Sequence, residues 1–348
     1  IALTMGDAAG IGPEVVVRAA AHSQLRSICN PVAVGHPAVL LRAAQLTNTP
    51  LRIEEFADFE VLTDWQPSIT SDADTQVLPC VKACGDDVAD VPLGAIDARA
   101  GQAAYDCLVA ATKAALAGTI AGITTAPLNK AALREAGLNY PGHTEILGHV
   151  CGVDEFAMML YLPPGDIVKS PNGLGVVHTT LHTSIASVPK LLSTELIDSN
   201  IRLMDSFMRR VGCDAPRVGV CALNPHAGEE GLFGDEEARL IAPAVEQCRQ
   251  NEINTAGPIP ADALLRRAVG GEFDGVVAMY HDQGHIALKL IGFDRAVNIT
   301  LGLPIVRTSP SHGTAFDIAG QGVASPRGMI EAAKIAAKLS LSVDCSTL

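Results

Sequence analysis

Residues 274–307 read DGVVAMYHDQGHIALKLIGFDRAVNITLGLPIVR. The opening DGVVAM is apolar and β-branched, the mark of a buried strand. His281, Asp282, Gln283, His285, Lys289, Asn298 and Arg307 follow it. Polar groups massed past the carboxyl end of a buried strand are the pattern of a binding site in an open α/β sheet. Beside a buried strand such groups are costly without a task. His281 next to Asp282 suits metal ligation, with the carboxylate orienting the ring. Lys289, Asn298 and Arg307 suit an anionic substrate carrying phosphate or carboxylate. Gly302 and Pro304 mark a turn.

Upstream, strand-like and helix-like pieces alternate. Ile1 to Met5 reads as a first parallel strand, and GDAAGIGPE leads into a helix from Pro13 to about Ala21. Pro at a first turn fits a helix N-terminus, which can hold an anion. The spacing is not GxGxxG, so the Rossmann dinucleotide fingerprint is absent. PVAVGHP predicts a second strand and AVLLRAAQL a helix, whereas 47–97 is poor in periodicity and predicts edge strands and loops, TQVLPCV among them. Residues 98–116 predict a long helix, 121–127 a buried strand, and LNKAALREAG another helix. PGHTEILGHVCG places His143 and Thr144 at a helix N-terminus with Glu145 beside them. A phosphate could take the imidazole, the hydroxyl and free backbone N–H groups there, or Thr144 is a plain cap.

The stretch from Phe156 to Ile185 predicts a hairpin, with His178 and His182 on one side of its second strand. Residues 217–222 predict a strand running into Asn224 and His226, with Asp235, Glu236 and Glu237 near the start of the next helix, where its dipole favours them. Asp262 opens a further helix, and a terminal helix closes the chain. The pattern is β–α alternation with one antiparallel excursion, an α/β fold of mixed sheets flanked by helices. Strand ends carry His182, His226 and His281. No local pair supplies a metal site by itself, so one would be assembled from distant segments with an open position.

A chain of 348 residues has room for one large or two ordinary domains. Hydrophobic residues make up 48% and aromatics only 4%, so small aliphatics build the core. A net charge of −13 argues against a nucleic-acid or acidic-membrane surface, so a local basic cluster should mark the site of an anionic substrate. Nine scattered cysteines with no CxxC read as reduced thiols of a cytoplasmic protein. No signal-peptide pattern and no membrane-spanning apolar run are expected.

GDAAGIGPE, GHTE, LNPHAGE, GPIPAD, YHDQG and VNITLGLPIVRTSxxHGTAFDIAG, in that order, resemble the 4-hydroxythreonine-4-phosphate dehydrogenase family of pyridoxal phosphate biosynthesis. The opening is also similar to the start of the isopropylmalate dehydrogenases, whose fold that family shares. The resemblance implies a two-domain α/β enzyme, a homodimer with shared active sites in the interdomain clefts. Its outer domain would span 1–127 plus 284–348, and its central domain, with the dimer contacts, 128–283. It implies metal ligands at His182, His226 and His281, completed across the dimer. It implies substrate contacts at His143, Thr144, Lys289, Asn298 and Arg307. Asp282, His285 and Lys289 are catalytic candidates: a ligand or substrate orienter, a proton shuttle, and a group on either the anion-binding or the proton-transfer side.

The implied reaction is NAD-dependent oxidation of a 4-phosphorylated 3-hydroxy acid followed by decarboxylation, with NADP open and the NAD contacts unplaced. Zinc suits nitrogen donors best, with magnesium, manganese, cobalt and nickel as alternatives. HDQGH-I, HTTLHTSI and the insertion near LPPGDIVKSPNG depart from the biosynthetic enzymes. They look more like paralogues acting on threonate or erythronate 4-phosphate. Two other readings are a dehydrogenase of an unphosphorylated ring acid such as terephthalate dihydrodiol, and a non-catalytic anion- or metal-binding protein.

Overall fold

The computed structural model describes residues 1–62, 65 and 76–341. Its elements in chain order begin with β1 (Ala2–Thr4), α1 (Gly12–Ala20), α2 (Ser23–Arg26), β2 (Val32–Gly35), α3 (Pro37–Leu46), β3 (Leu51–Phe56) and β4 (Gln76–Lys82). Then come α4 (Ala98–Leu116), β5 (Ile123–Thr125), α5 (Lys130–Glu135) and α6 (His143–Cys151). The middle of the chain holds β6 (Ala157–Leu162), β7 (Leu174–His178), α7 (Val188–Leu191), α8 (Thr194–Arg210), β8 (Val218–Cys221), α9 (Ala242–Gln250) and β9 (Thr255–Ile259). It continues through α10 (Ala261–Val269), β10 (Gly275–Ala278), α11 (His281–Gly292) and β11 (Val297–Leu301), and β12 (Arg307–Pro310) and α12 (Arg327–Leu341) follow.

Two compact units result: Ile1–Phe156 with Leu303–Leu348, and Ala157–Gly302. The sequence had placed the divisions at 127/128 and 283/284. Local contacts account for where the units divide. Gly101 of α4 lies so close to the backbone of Ala132 in α5 that a Cβ would collide with its carbonyl, which keeps α5 with the first unit. β11 pairs antiparallel with β6, Asn298 opposite Leu160, which keeps 297–301 with the second.

In the first unit the strands run β3-β4-β2-β1-β5-β12, all parallel. Helix α4 is capped by Asp97, whose carboxylate accepts the Arg99 N–H at 2.8 Å. The GDAAGIGPE turn proves to be tightly built. Gly6, at φ +68°, lies against the Pro127 carbonyl, Ile11 N–H donates to Thr314 O, and buried Glu14 accepts from Gly320 N–H at 2.7 Å and Gly322 N–H at 3.1 Å. This stretch therefore fastens α1 to the 311–322 loop.

In the second unit the order is β11-β6-β7-β10-β8-β9, with β6 antiparallel to both neighbours and the rest parallel. β6 is the expected antiparallel excursion. β7, β8 and β10 are buried throughout, as parallel strands covered on both faces must be. Helix α8 lays Ile197, Ile201, Met204 and Met208 against this sheet, and Gly175 and Gly275 make room for Met204. The expectation for His182 changes. β7 stops at His178, because the Thr180 hydroxyl and N–H both donate to Met279 O, and His182 lies beyond the strand. Eight cysteines are free thiols, and Cys345 lies outside the described residues. Among the described residues no helix is long and apolar enough to cross a membrane.

Candidate active site

Two groups of polar side chains stand out, one in each unit. In the second unit, β7, β10 and β8 are neighbours, and their carboxyl ends lead to His182, His281 and His226. Gln283 ties two of these ends together: its Oε1 accepts from Met279 N–H at 2.7 Å and its Nε2 donates to Ala222 O at 2.8 Å. His281 opens α11, and its Nδ1 lies 2.6 Å from Asp282 Oδ1. This leaves Nε2 as the outward nitrogen, the arrangement in which a carboxylate orients an imidazole toward a metal. The ring centroids of His182 and His281 are 5.8 Å apart, and both residues line an open hollow of about 440 Å³ with Tyr280, Asp282 and Ser184.

One helical turn along α11, the His285 ring stacks on His281 with centroids 3.8 Å apart and planes 12° from parallel. Lys289 follows on the same face, its Nζ 5.9 Å from the Phe293 ring centroid. Burial, then the charges of His178, His281 and Lys289, push the His285 pKa down to about 3, so the ring is neutral. Asn298 on β11 presents a buried Oδ1 with no donor among the described residues.

His226 sits in an unusual turn. His226, Ala227, Gly228, Glu229 and Glu230 all have φ between +44° and +77°. For residues other than glycine this costs roughly 1–2 kcal/mol each. Glu237 holds the entry to the turn: its Oε1 accepts from Leu223 N–H at 2.9 Å and Asn224 N–H at 2.7 Å. Asn224 Nδ2 donates to Glu236 and Glu237. Among the described residues, no three His, Cys, Asp or Glu side chains of one chain gather to hold a metal ion. Within the chain, then, His182 and His281 come close together, and His226 does not complete a group of three with them.

The second group lies in the first unit. Arg307, the first residue of β12, is 2% exposed and donates from Nη2 to Thr125 Oγ1 at 2.8 Å, at the end of β5. Burial pulls its pKa down to about 10, with Glu145 opposing. His143 and Thr144 open α6 behind Gly142, and no side chain caps that helix, so Thr144 is not its cap. The half-buried His143 ring is held neutral, first by desolvation and then by the Arg307 charge. A buried guanidinium, a neutral imidazole and an uncapped helix start together favour an anion.

The family model described as "Pyridoxal phosphate biosynthetic protein PdxA" matches residues 27–336. The chain belongs to the PdxA family. This PdxA member is 41% identical over 341 residues to a D-threonate 4-phosphate dehydrogenase from Cupriavidus necator, covering 98% of this chain and 97% of that one. The crystal structure of a 4-hydroxythreonine-4-phosphate dehydrogenase from Klebsiella pneumoniae superposes with a TM-score of 0.84 at 41% identity, covering 97% and 98% of the two chains. A terephthalate 1,2-cis-dihydrodiol dehydrogenase from Burkholderia xenovorans is more distant, at TM-score 0.63 and 30% identity with 97% of each chain covered. The family resemblance, the α/β fold and the dehydrogenase reading are thereby borne out, and the ring-diol alternative is not favoured.

Sequence reasoning missed the Glu237 clamp and the His178–His285 contact. The i,i+4 spacing of His281 and His285 was the available signal for the stack between those two rings.

Proposed function

We propose that this PdxA-family chain oxidises a small 3-hydroxy acid phosphorylated at position 4, such as 4-phosphohydroxy-L-threonine or threonate or erythronate 4-phosphate, with decarboxylation following. The observation that carries the reading is buried Arg307, bonded to Thr125 and set beside the His143 end of an uncapped helix. Arg307, His143 and Thr144 bind the phosphate, with Lys289 and Asn298 as further substrate contacts. His182, His226 and His281 would hold a divalent metal, zinc by donor type, in a site completed by a second copy of the chain. The Asp282 carboxylate on His281 and the strained setting of His226 fit that assignment. When bound, the metal supplies Lewis acidity toward a hydroxyl or carbonyl oxygen and the nicotinamide, NAD in this reading, supplies the hydride acceptor. Asp282 orients His281, His285 accepts the hydroxyl hydrogen, and Lys289 holds charge on the same helix face. The protein works as a cytoplasmic homodimer.

The test is NADH formation, followed by absorbance, with the three phosphorylated acids and terephthalate dihydrodiol, with zinc, manganese or magnesium present. Turnover of at least one phosphorylated acid is expected. Turnover of the ring diol alone would overturn the proposal.

A further inference from the structure

Behind His285 lies a histidine that no role yet absorbs. His178, the last residue of β7, is 2% exposed. Its Nδ1 faces Met158 O at 3.4 Å, and its Nε2 is 3.0 Å from His285 Nδ1. A carbonyl can only accept, so the hydrogen of the neutral His178 ring is on Nδ1. Its Nε2 is then an acceptor, and His285 must donate to it from Nδ1. That leaves Nε2 of His285 without a hydrogen. Both rings are buried, His178 2% and His285 7% exposed, and burial disfavours a charged imidazole. A second observation supports a built contact. The helix has a glycine, Gly284, where a Cβ would come within 2.5 Å of His178 Nε2 and 2.8 Å of Val176 Cγ1.

We propose that His178 is a positioning residue that fixes His285 in the tautomer with its hydrogen on Nδ1, so that Nε2 is presented as the acceptor for the substrate hydroxyl. The chain of bonds Met158 O, His178, His285 runs from β6 through β7 to α11 and ends on the ring stacked against His281. It gives His285 one orientation and one face to the reaction. The consequence for turnover rests on the function proposed above; the tautomer itself does not.

The experiment uses full-length protein labelled with 15N-histidine and long-range 1H–15N correlation spectra. The His285 signals are assigned by their loss in His285→Gln. Wild type should show the Nδ1–H tautomer at His285. His178→Phe, which fills the space without an acceptor, should shift His285 toward Nε2–H. His178→Gln, whose carbonyl can accept, should restore Nδ1–H. An Nε2–H tautomer in wild type overturns the inference, and this measurement needs no folded variant of His178. In turnover of the phosphorylated acids, His178→Phe should lose about 10- to 100-fold in kcat, with KM within about threefold, and His178→Gln should recover most of it. Equal losses in the two variants would mean that the ring only fills space, and would overturn the positioning role. A wild-type protein with the Nδ1–H tautomer and no turnover of any phosphorylated acid would defeat the functional proposal and uphold the tautomer.

Discussion

Asp7 should make the protein less stable as the pH rises through the mildly acidic range, and Asp7→Asn should abolish that dependence. The side chain is fully buried. Its Oδ1 accepts from Ala9 N–H at 2.8 Å, whereas Oδ2 meets no donor among the described residues. Burial pushes the pKa from 3.8 up to about 6, the Ala9 bond opposes this, and Asp97 adds to it. The folded form thus holds its proton more tightly than the unfolded chain does. Below pH 4 both states are protonated and Asp7 imposes no penalty. Between pH 4 and 6 stability falls as the folded state resists ionisation, and above 6 the penalty is complete. Two pKa units correspond to roughly 3 kcal/mol, or about 4 °C in melting temperature for a chain of this length. In the variant, Asn keeps the bond to Ala9, but its amide replaces the orphan oxygen with an unpartnered donor. That cost does not vary with pH, so the decisive quantity is the variant-minus-wild-type difference across pH. Thermal melts by circular dichroism from pH 4 to 7.5 should show this difference shifting in favour of the variant by about 4 °C. A flat difference would refute the assignment of a raised carboxyl to Asp7.

Gly101→Ala should cost about 3 kcal/mol or somewhat more, because the new methyl meets the Ala132 backbone rather than a movable side chain; a chemical denaturation midpoint unchanged from wild type would contradict the α4–α5 contact. Arg307→Ala should raise KM for a phosphorylated acid about 10- to 150-fold, the loss of roughly 1.5–3 kcal/mol from one charge-assisted contact; an unchanged KM would place the anion elsewhere. His226→Ala should abolish zinc uptake, read by elemental analysis after dialysis, with the melting temperature of the metal-free protein preserved. Full zinc content would remove His226 from the ligand set.

Strands buried on both faces were the easiest elements to read. VGVC and GVVA are short, β-branched and bounded by breakers, and they form β8 and β10. Helix α4 was equally clear from its alanine-rich period and spans the predicted 98–116. The end of β7 was harder. Strand-forming residues continue past His178 as Thr179, Thr180 and Leu181, and the pairing of Thr180 with a carbonyl 99 residues away stops the strand. The unit boundaries were not legible for a similar reason. What ties α5 to α4 is a backbone approach at a single glycine, which has no periodic signature. In the candidate site, the residue types past strand ends announced His281 and His226, and the polar stretch that follows β10 announced Arg307. The supports did not announce themselves, because Glu237 reaches back 13 and 14 residues to Asn224 and Leu223, and His178 and His285 are 107 apart in sequence.

The left-handed run at His226–Glu230 has a practical corollary for anyone wishing to harden this protein. Four of its five residues carry a Cβ in a conformation that suits glycine. At most helical or strand positions a glycine loosens the fold. Here Ala227, Glu229 and Glu230 are places where glycine would relieve crowding, so the usual rule of thumb for thermostabilisation runs backwards over this short segment.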